Sequence, residues 1–169
     1  HSLFSKQLEA QLPALWRFAM VLSRNRDLAQ DLVQATALRA LEKSDLYSPG
    51  TRLDRWLMSV MMNVWRNDLR ARRVRTGGGL VDAENVLVLD GAAQIETNIF
   101  ASQVLNAVAQ LPEAQRETVL LVYLEEWSYQ EAADALGIPV GTVMSRLAAA
   151  RQKLAPLKAQ ARNTGERKA

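Results

Sequence analysis

Between residues 128 and 154 the chain reads SYQEAADALGIPVGTVMSRLAAARQKL, and no other stretch leaves it so little freedom. Ser128 followed by Glu131 is a capping box, in which a hydroxyl and a carboxylate each satisfy a backbone N–H at a helix start. Ala132, Ala133 and Leu136 supply that helix's inner face. Gly137 permits a left-handed turn, Ile138 plugs it, and Pro139 opens the next helix. Val143, Leu147, Ala150 and Leu154 then recur at four, three and four, the period of a buried helical stripe. Ala133 must be small because the two helices cross closely there. Cap, turn, plug and small crossing residue together predict a helix-turn-helix rather than a plain helical hairpin.

The second helix of this motif has an unusual outer face. Opposite its buried stripe lie Thr142, Ser145, Ala148, Ala149 and Gln152, with Met144, Arg146 and Arg151 on the flanks. A bidentate contact from Arg, Asn or Gln to a base is worth about 1–3 kcal/mol of discrimination. Few such groups stand at the helix start, where a recognition helix meets bases. Thr142, Ser145 and the free amides there can still hold phosphate. This helix alone should bind DNA weakly, so specificity must come partly from elsewhere.

The remainder also reads as helix. Leu8, Leu12, Leu15, Ala19 and Leu22 recur at three and four, with Pro13 expected to reset the helix start. SRNRD turns, and Asp27 is the expected N-cap of a helix through Glu42. KSDLYSPGT, 43–51, is a loop by composition. A long helix follows, with Leu53, Trp56, Leu57, Val60 and Val64 on its inner stripe. Trp56 is expected in the core, while Trp65 fits either the core or base stacking. TGGGL, 76–80, reads as a hinge, and VLVL, 86–89, is a short strand at most, with no partner strand. Helices are then expected near 98–110, from Pro112 to about Glu126, over 128–136 and over about 140–155, with a fraying basic tail beyond Pro156. The fold class is all-α: two small helical domains over 3–75 and 97–157, a flexible linker over 76–96 and a basic tail over 158–169.

Composition removes whole classes of chemistry. The 169 residues include no Cys and no His beyond His1, which belongs to no motif and is set aside, so disulfides, thiol nucleophiles and a motif-borne imidazole base are excluded together. Transition-metal sites would have only carboxylates. No pair of carboxylates sits in a pocket-like motif, and the common phosphate-loop signatures are missing. The expectation is a protein that is not an enzyme and needs no cofactor, metal or small-molecule substrate. No apolar run approaches the roughly 18 residues of a membrane span, and no secretory signal opens the chain. A reducing compartment, the cytoplasm, suits it.

Net charge is only +3, but its distribution is blocky. Residues 52–76 hold seven Arg against Asp54 and Asp68, and from Ser145 onward seven bases face only Glu166. Acidic stretches separate these blocks. Two basic blocks imply two separate polyanion contacts. Solvated helix faces would scatter their charge instead.

At this point the chain resembles a known family. LPEAQRETVLLVYLEEWSYQEAADALGIPVGTVMSRLAAARQKL looks like region four of bacterial sigma factors, especially the small extracytoplasmic-function (ECF) group. DLAQDLVQATALRAL looks like the polymerase-binding part of their region two. RWLMSVMMNVWRNDLRARR looks like the strand-opening part that follows, with Trp56, Leu57, Asn63, Asp68 and Arg70 at matching places. The likeness covers about 8–75 and 98–155, in order. One departure stands out: the family usually has Lys or Arg where this chain has Met144, and often a larger residue and an Arg at Ala148 and Ala149.

The resemblance implies a function for each part. On the helix 27–42, Leu28, Ala29, Leu32, Val33 and Ala40 point broadly one way, and Gln30, Asp31, Gln34, Leu38 and Leu41 the other. A face mixing Asp, Gln and two leucines suits a protein partner. The resemblance makes that partner core RNA polymerase, contacted by Asp31, Leu32, Val33, Gln34, Leu38 and Leu41; cover by the first helix is the alternative for both leucines. Asn63, Arg66, Asn67 and Arg70 fall at i, i+3, i+4 and i+7, with Arg72, Arg73 and Arg75 following. By resemblance Asn63, Arg66, Asn67, Arg70 and Arg73 meet the minus-10 element of promoter DNA. The loop 45–51, with Asp45 and Tyr47, receives a base extruded from the opened strand, which costs a few kcal/mol and needs a fitted pocket. Thr142, Met144, Ser145, Arg146, Ala149 and Arg151 are placed on the minus-35 element.

A flexible linker of about 20 residues spans roughly 25 Å, whereas promoter elements two duplex turns apart lie about 70 Å from each other. The free chain would rarely hold both, but a large partner threading the linker could. The sequence carries no sensor motif, so switching is expected from outside, by a one-to-one anti-sigma factor covering the polymerase-binding face. Two alternatives stand beside an ECF sigma factor: a free-standing helix-turn-helix regulator, and a sigma mimic that titrates an anti-sigma factor. The arginines at 66–75 speak against the mimic.

Overall fold

The structure is a computed structural model; it describes the backbone of residues 2–69 and 95–166 and the side chains of 2–68 and 101–157. The chain divides between Val86 and Leu87 into two compact units, and the described residues of both are helical, without a strand. The hinge 76–80, the 86–89 segment and most of the expected linker lie outside the described residues.

In the first unit α1 (Ser2–Ser23) packs on α2 (Arg26–Glu42) and α3 (Leu53–Val64), and α2 packs on α3. The expected stripe of α1 is buried at Leu8, Leu15, Ala19 and Leu22. Pro13 does not reset the helix; α1 runs through it. The bond a proline forfeits would go to the carbonyl of Glu9, at an exposed position where water can serve. Buried Leu8 and Leu15 anchor the helix on either side of the gap. The N-cap of α2 is Asn25, not Asp27. Asn25 is extended (φ −151°), which brings its Oδ1 within 3.0 Å of the Leu28 N–H. Asp27 sits instead in the first turn, where its charge favours the positive end of the helix dipole.

After α2 the backbone makes a single 3-10 turn, Ser44–Leu46, and a loop in which Gly50 takes φ +88°. The helix α3 is buried nearly all round, at Leu53, Leu57, Met58, Val60, Met61, Met62 and Val64. It then widens into a π turn, Trp65–Leu69. Trp65 is fully buried and belongs to the core. Trp56, expected there, is only half-buried.

In the second unit α4 (Ile95–Gln110) packs on α5 (Glu113–Val119) and on α7 (Val140–Glu166). A π turn, Leu120–Leu124, extends α5. Then come α6 (Tyr129–Leu136) and α7, packed on each other. The helix α7 does not stop at Pro156 but continues as helix to Glu166. Alanines around the proline and the exposed residue at Gln152, whose carbonyl loses its partner, make the interruption tolerable. No helix among the described residues is long and apolar enough to cross a membrane.

Candidate nucleic-acid and protein interfaces

The outer face of α2 is open. Gln30, Asp31 and Gln34 are exposed, and Leu38 and Leu41 keep 60% and 41% of their surface in water. The first helix does not cover them. The periodicity of α2 explains the division, since Ala29, Leu32, Thr36 and Ala40 take the core side. Leu32 is fully buried, so its side chain is not on the outward face with its neighbours, and Val33 is half-buried. Near the same face Arg39 approaches Asp68 at 3.9 Å, both half in water, a contact worth at most about 1 kcal/mol.

At the end of α3, Asn63 and Asn67 are exposed and Arg66 is half-buried. The expected stripe assumed an unbroken α-helix. The π turn adds a residue to the turn at Trp65, which keeps that ring in the core while Asn63 and Asn67 stay outside, so α-helical spacing does not hold through Trp65–Leu69. Arg70, Arg72, Arg73 and Arg75 lie outside the described residues.

The loop after α2 is built on aromatic rings. Tyr47 lies 5.8 Å from Phe4 and 5.6 Å from Trp56, and Phe4 lies 6.1 Å edge-on from Trp56. The Tyr47 hydroxyl donates to the Thr51 carbonyl at 2.7 Å, and the Thr51 hydroxyl donates to the Ser48 carbonyl at 2.7 Å. The loop therefore has a defined shape. It borders an open cavity of about 540 Å³ lined by Leu3, Phe4, Gln7, Ser44, Asp45, Tyr47, Pro49 and Gly50. The contribution of Phe4 and Gln7 from α1 escaped the sequence reading, because nothing local links them to a loop so far along the chain. At the loop's far end Arg52 holds Asp54 at 2.6 Å, and that hydrogen bond puts the Asp54 carboxyl below its ordinary value.

In the second unit the helix-turn-helix forms as its residues require. Ser128 Oγ accepts from Glu131 N–H at 3.0 Å, and Glu131 Oε1 accepts from Ser128 N–H at 3.1 Å. Gly137 takes φ +64°, and the Ile138 N–H returns to the Ala133 carbonyl at 3.1 Å. Val143, Leu147 and Ala150 are buried. On the outer side of α7, Met144, Ser145, Ala148 and Arg151 are exposed, while Thr142, Arg146 and Ala149 are half-buried. The Ser145 hydroxyl donates to its own helix, to Gly141 O at 3.1 Å, and so offers a DNA partner only its oxygen. Arg151 is held by two tyrosines that the sequence reading passed over. Its Nε donates to the Tyr123 hydroxyl oxygen at 2.8 Å and a terminal N–H to that of Tyr129 at 3.2 Å. These bonds, Tyr123 first, raise the guanidinium above its ordinary value.

Comparison with known proteins matches residues 8–75 to the family "Sigma-70 region 2" and residues 101–154 to "Sigma-70, region 4". The chain is 38% identical over 148 residues to the ECF RNA polymerase sigma factor EcfG of Rhodopseudomonas palustris, covering 88% of this chain and 81% of that one. It is 33% identical over 150 residues to the RNA polymerase sigma factor CarQ of Myxococcus xanthus, covering 86% and 83% respectively. Among solved structures it is similar to the sigma factor RpoE of Bartonella quintana, determined in complex with the anti-sigma factor NepR. The TM-score there is 0.67 at 29% identity, over 94% of this chain and 98% of that one.

Proposed function

Because the chain belongs to the extracytoplasmic-function (ECF) family of RNA polymerase sigma factors, we propose a division of its work between the two helical units. The first, over 3–75, docks on core RNA polymerase through Asp31, Val33, Gln34, Leu38 and Leu41. It meets the minus-10 element through Asn63, Arg66, Asn67, Arg70 and Arg73, and through Asp45 and Tyr47 of the loop. The second, over 97–157, places α7 on the minus-35 element with Thr142, Met144, Ser145, Arg146, Ala149 and Arg151.

The observation that carries this reading is the outer face of α2. Two leucines standing in water beside Asp31 and Gln34 are costly to leave uncovered, and they lie within the stretch that matches region two of the family. The cavity beside Tyr47 is roomy enough for one extruded base with its sugar and offers both ring faces and polar groups. The protein acts without catalysing a reaction of its own, in the cytoplasm where the polymerase is. It requires no cofactor. An anti-sigma factor regulates it by covering the polymerase-binding face. The Bartonella relative, solved with such a protein, supports that partner.

A free-standing helix-turn-helix regulator would have no use for the α2 face. The deciding experiment is run-off transcription with core polymerase, with and without the chain. Specific transcripts only when the chain is added support the proposal. Tight sequence-specific DNA binding by the chain alone, with no effect on the polymerase, would replace it with that alternative.

A further inference from the structure

Arg151 stands about three turns, roughly 16 Å, along α7 from its start. Three elements meet on it: the π turn after α5 through Tyr123, the first residue of α6 through Tyr129, and α7 itself. The guanidinium carbon also sits 5.9 Å from the centre of the Tyr123 ring. All of this lies at the surface, with Arg151 exposed and Tyr123 keeping 47% of its surface in water.

The choice of partners is informative. A carboxylate would hold Arg151 and neutralise it. Two phenols hold it and leave the whole charge. Among the described residues no carboxylate comes within 4 Å of this guanidinium. On α7 no acidic residue precedes Glu166. The acids of α6 have other work: Glu131 accepts from the Ser128 N–H, and Asp134 accepts from Gln130 at 2.9 Å. Each phenol accepts from Arg151 through its oxygen and keeps its own O–H for another acceptor, and the guanidinium has three N–H donors left. The result is a surface cation held in place by two phenols, paired with no carboxylate among the described residues, with hydrogen-bond donors to spare. That arrangement fits a phosphate oxygen better than a base edge.

Position agrees with chemistry. A recognition helix reads bases with its N-terminal residues, while the first helix of the motif crosses the DNA backbone. Arg151 is far from the N-terminus of α7, and Tyr129 opens that first helix. We propose that Tyr123, Tyr129 and Arg151 together clamp one phosphodiester of promoter DNA, so that Arg151 sets the seating of α7 and reads no base. This rests on the reading of the second unit as the binder of the minus-35 element.

The test uses holoenzyme assembled from the full chain and core polymerase, on a duplex selected from random-sequence DNA by the wild-type holoenzyme. Affinity is measured across a salt series. Arg151→Ala should lower the log–log salt slope by about 0.9 and weaken binding about eightfold at 0.1 M salt. Tyr123→Phe and Tyr129→Phe, which preserve packing, should each weaken binding several-fold in the wild-type background and less than twofold in the Arg151→Ala background. An unchanged slope in Arg151→Ala, whatever happens to thermal stability, would mean that the cluster only staples helices together, and the clamp would be refuted. Full additivity of the Phe and Ala changes would refute it too. So would a changed base preference in the minus-35 region, which would make Arg151 a base reader, or an unchanged slope joined to lost binding of polyglutamate, which would mark an acidic protein as the partner. If wild-type holoenzyme leaves the minus-35 region of the duplex unprotected from cleavage, the underlying reading fails first, before any variant is made.

Discussion

Leu38 and Leu41 offer the clearest test of how this chain meets a polymerase. Fully burying a leucine side chain is worth about 1.5–3 kcal/mol. Leu38 has 60% of its surface still to bury and Leu41 has 41%, so covering both is worth about 1.5–3 kcal/mol. Truncating both to Ala should therefore weaken binding to core polymerase by about ten- to a hundredfold. Folding should suffer little, because the parts removed lie largely in water. Leu32 provides the opposite case on the same helix. It is fully buried, so Leu32→Ala should cost about 2–5 kcal/mol of stability. The measurement is competition of labelled and unlabelled chain for core polymerase, paired with thermal denaturation followed by circular dichroism. Leu38→Arg should go further than Ala, because a charge would then have to be desolvated against the partner. The reasoning is refuted if the double Ala variant binds within twofold of wild type. It is equally refuted if that variant loses as much thermal stability as Leu32→Ala, for then the two leucines belong to the core in solution.

Four further outcomes are expected. Arg66→Ala, Arg70→Ala and Arg73→Ala should each lower the salt slope of open-complex formation by about one unit, and an unchanged slope in all three would leave that stretch facing solvent. Replacing loop 45–51 with that of a relative recognising another promoter should shift base preference in the minus-10 element alone; a shift confined to the minus-35 element would overturn the assignment. The Asp54 carboxyl is held below its ordinary 3.8 by Arg52, so its contribution is present above that pH and is lost as pH falls through the lower folded value. Asp54→Asn should therefore narrow the stability difference between neutral pH and about pH 3, by a small amount because the pair is largely in water. Ala149→Arg should tighten minus-35 binding on a suitable promoter, and no gain on any selected sequence would tell against the orientation given to α7.

What could be read from the sequence was local. Ser128 and Glu131, three apart, and Gly137 at a helix end each specify a conformation with almost no help from the rest of the molecule, and each takes it. Helical periodicity separated the two faces of α2, but whether α1 covers Leu38 and Leu41 was left open by the sequence and is decided by their exposure. Proline rules failed at Pro13 and Pro156, where a missing hydrogen bond at an exposed carbonyl proved cheaper than abandoning a long helix. The cap of α2 was misplaced by two residues because Asn25 and Asp27 are both good cap residues, and only the extended backbone at Asn25 decides between them. The π turns at Trp65 and Leu120 leave no mark in a pattern of apolar spacing. Arg116 and Glu117 look like surface residues, yet both are buried, with Arg116 donating to the Ala109 carbonyl at 3.4 Å. The contacts of Phe4 with Tyr47 and of Tyr123 with Arg151 join distant parts of the chain, and no spacing rule reaches that far.

The outer face of α7 leaves a question of where promoter recognition resides. Ala148 and Ala149 cannot hydrogen-bond a base, Met144 offers only apolar contact, and the Ser145 proton is spent within the helix. Thr142, Arg146 and Gln152 remain as base-reading donors, and two of these are beyond the first turn of the helix. Small apolar side chains let a helix sit deep in a groove, and a fixed phosphate contact decides how deep. Such a helix gains affinity from the backbone and discriminates weakly among sequences. The first unit has the opposite character: exposed amides at Asn63 and Asn67, and a shaped cavity that an extruded base must enter to contribute anything. Extrusion costs a few kcal/mol, so only a base that fits returns that energy, and the penalty for a misfit is correspondingly steep. On the proposed assignment of the two units, recognition would be weighted towards the minus-10 element, with the minus-35 contact supplying the seating that makes minus-10 discrimination effective on a polymerase already held to the promoter.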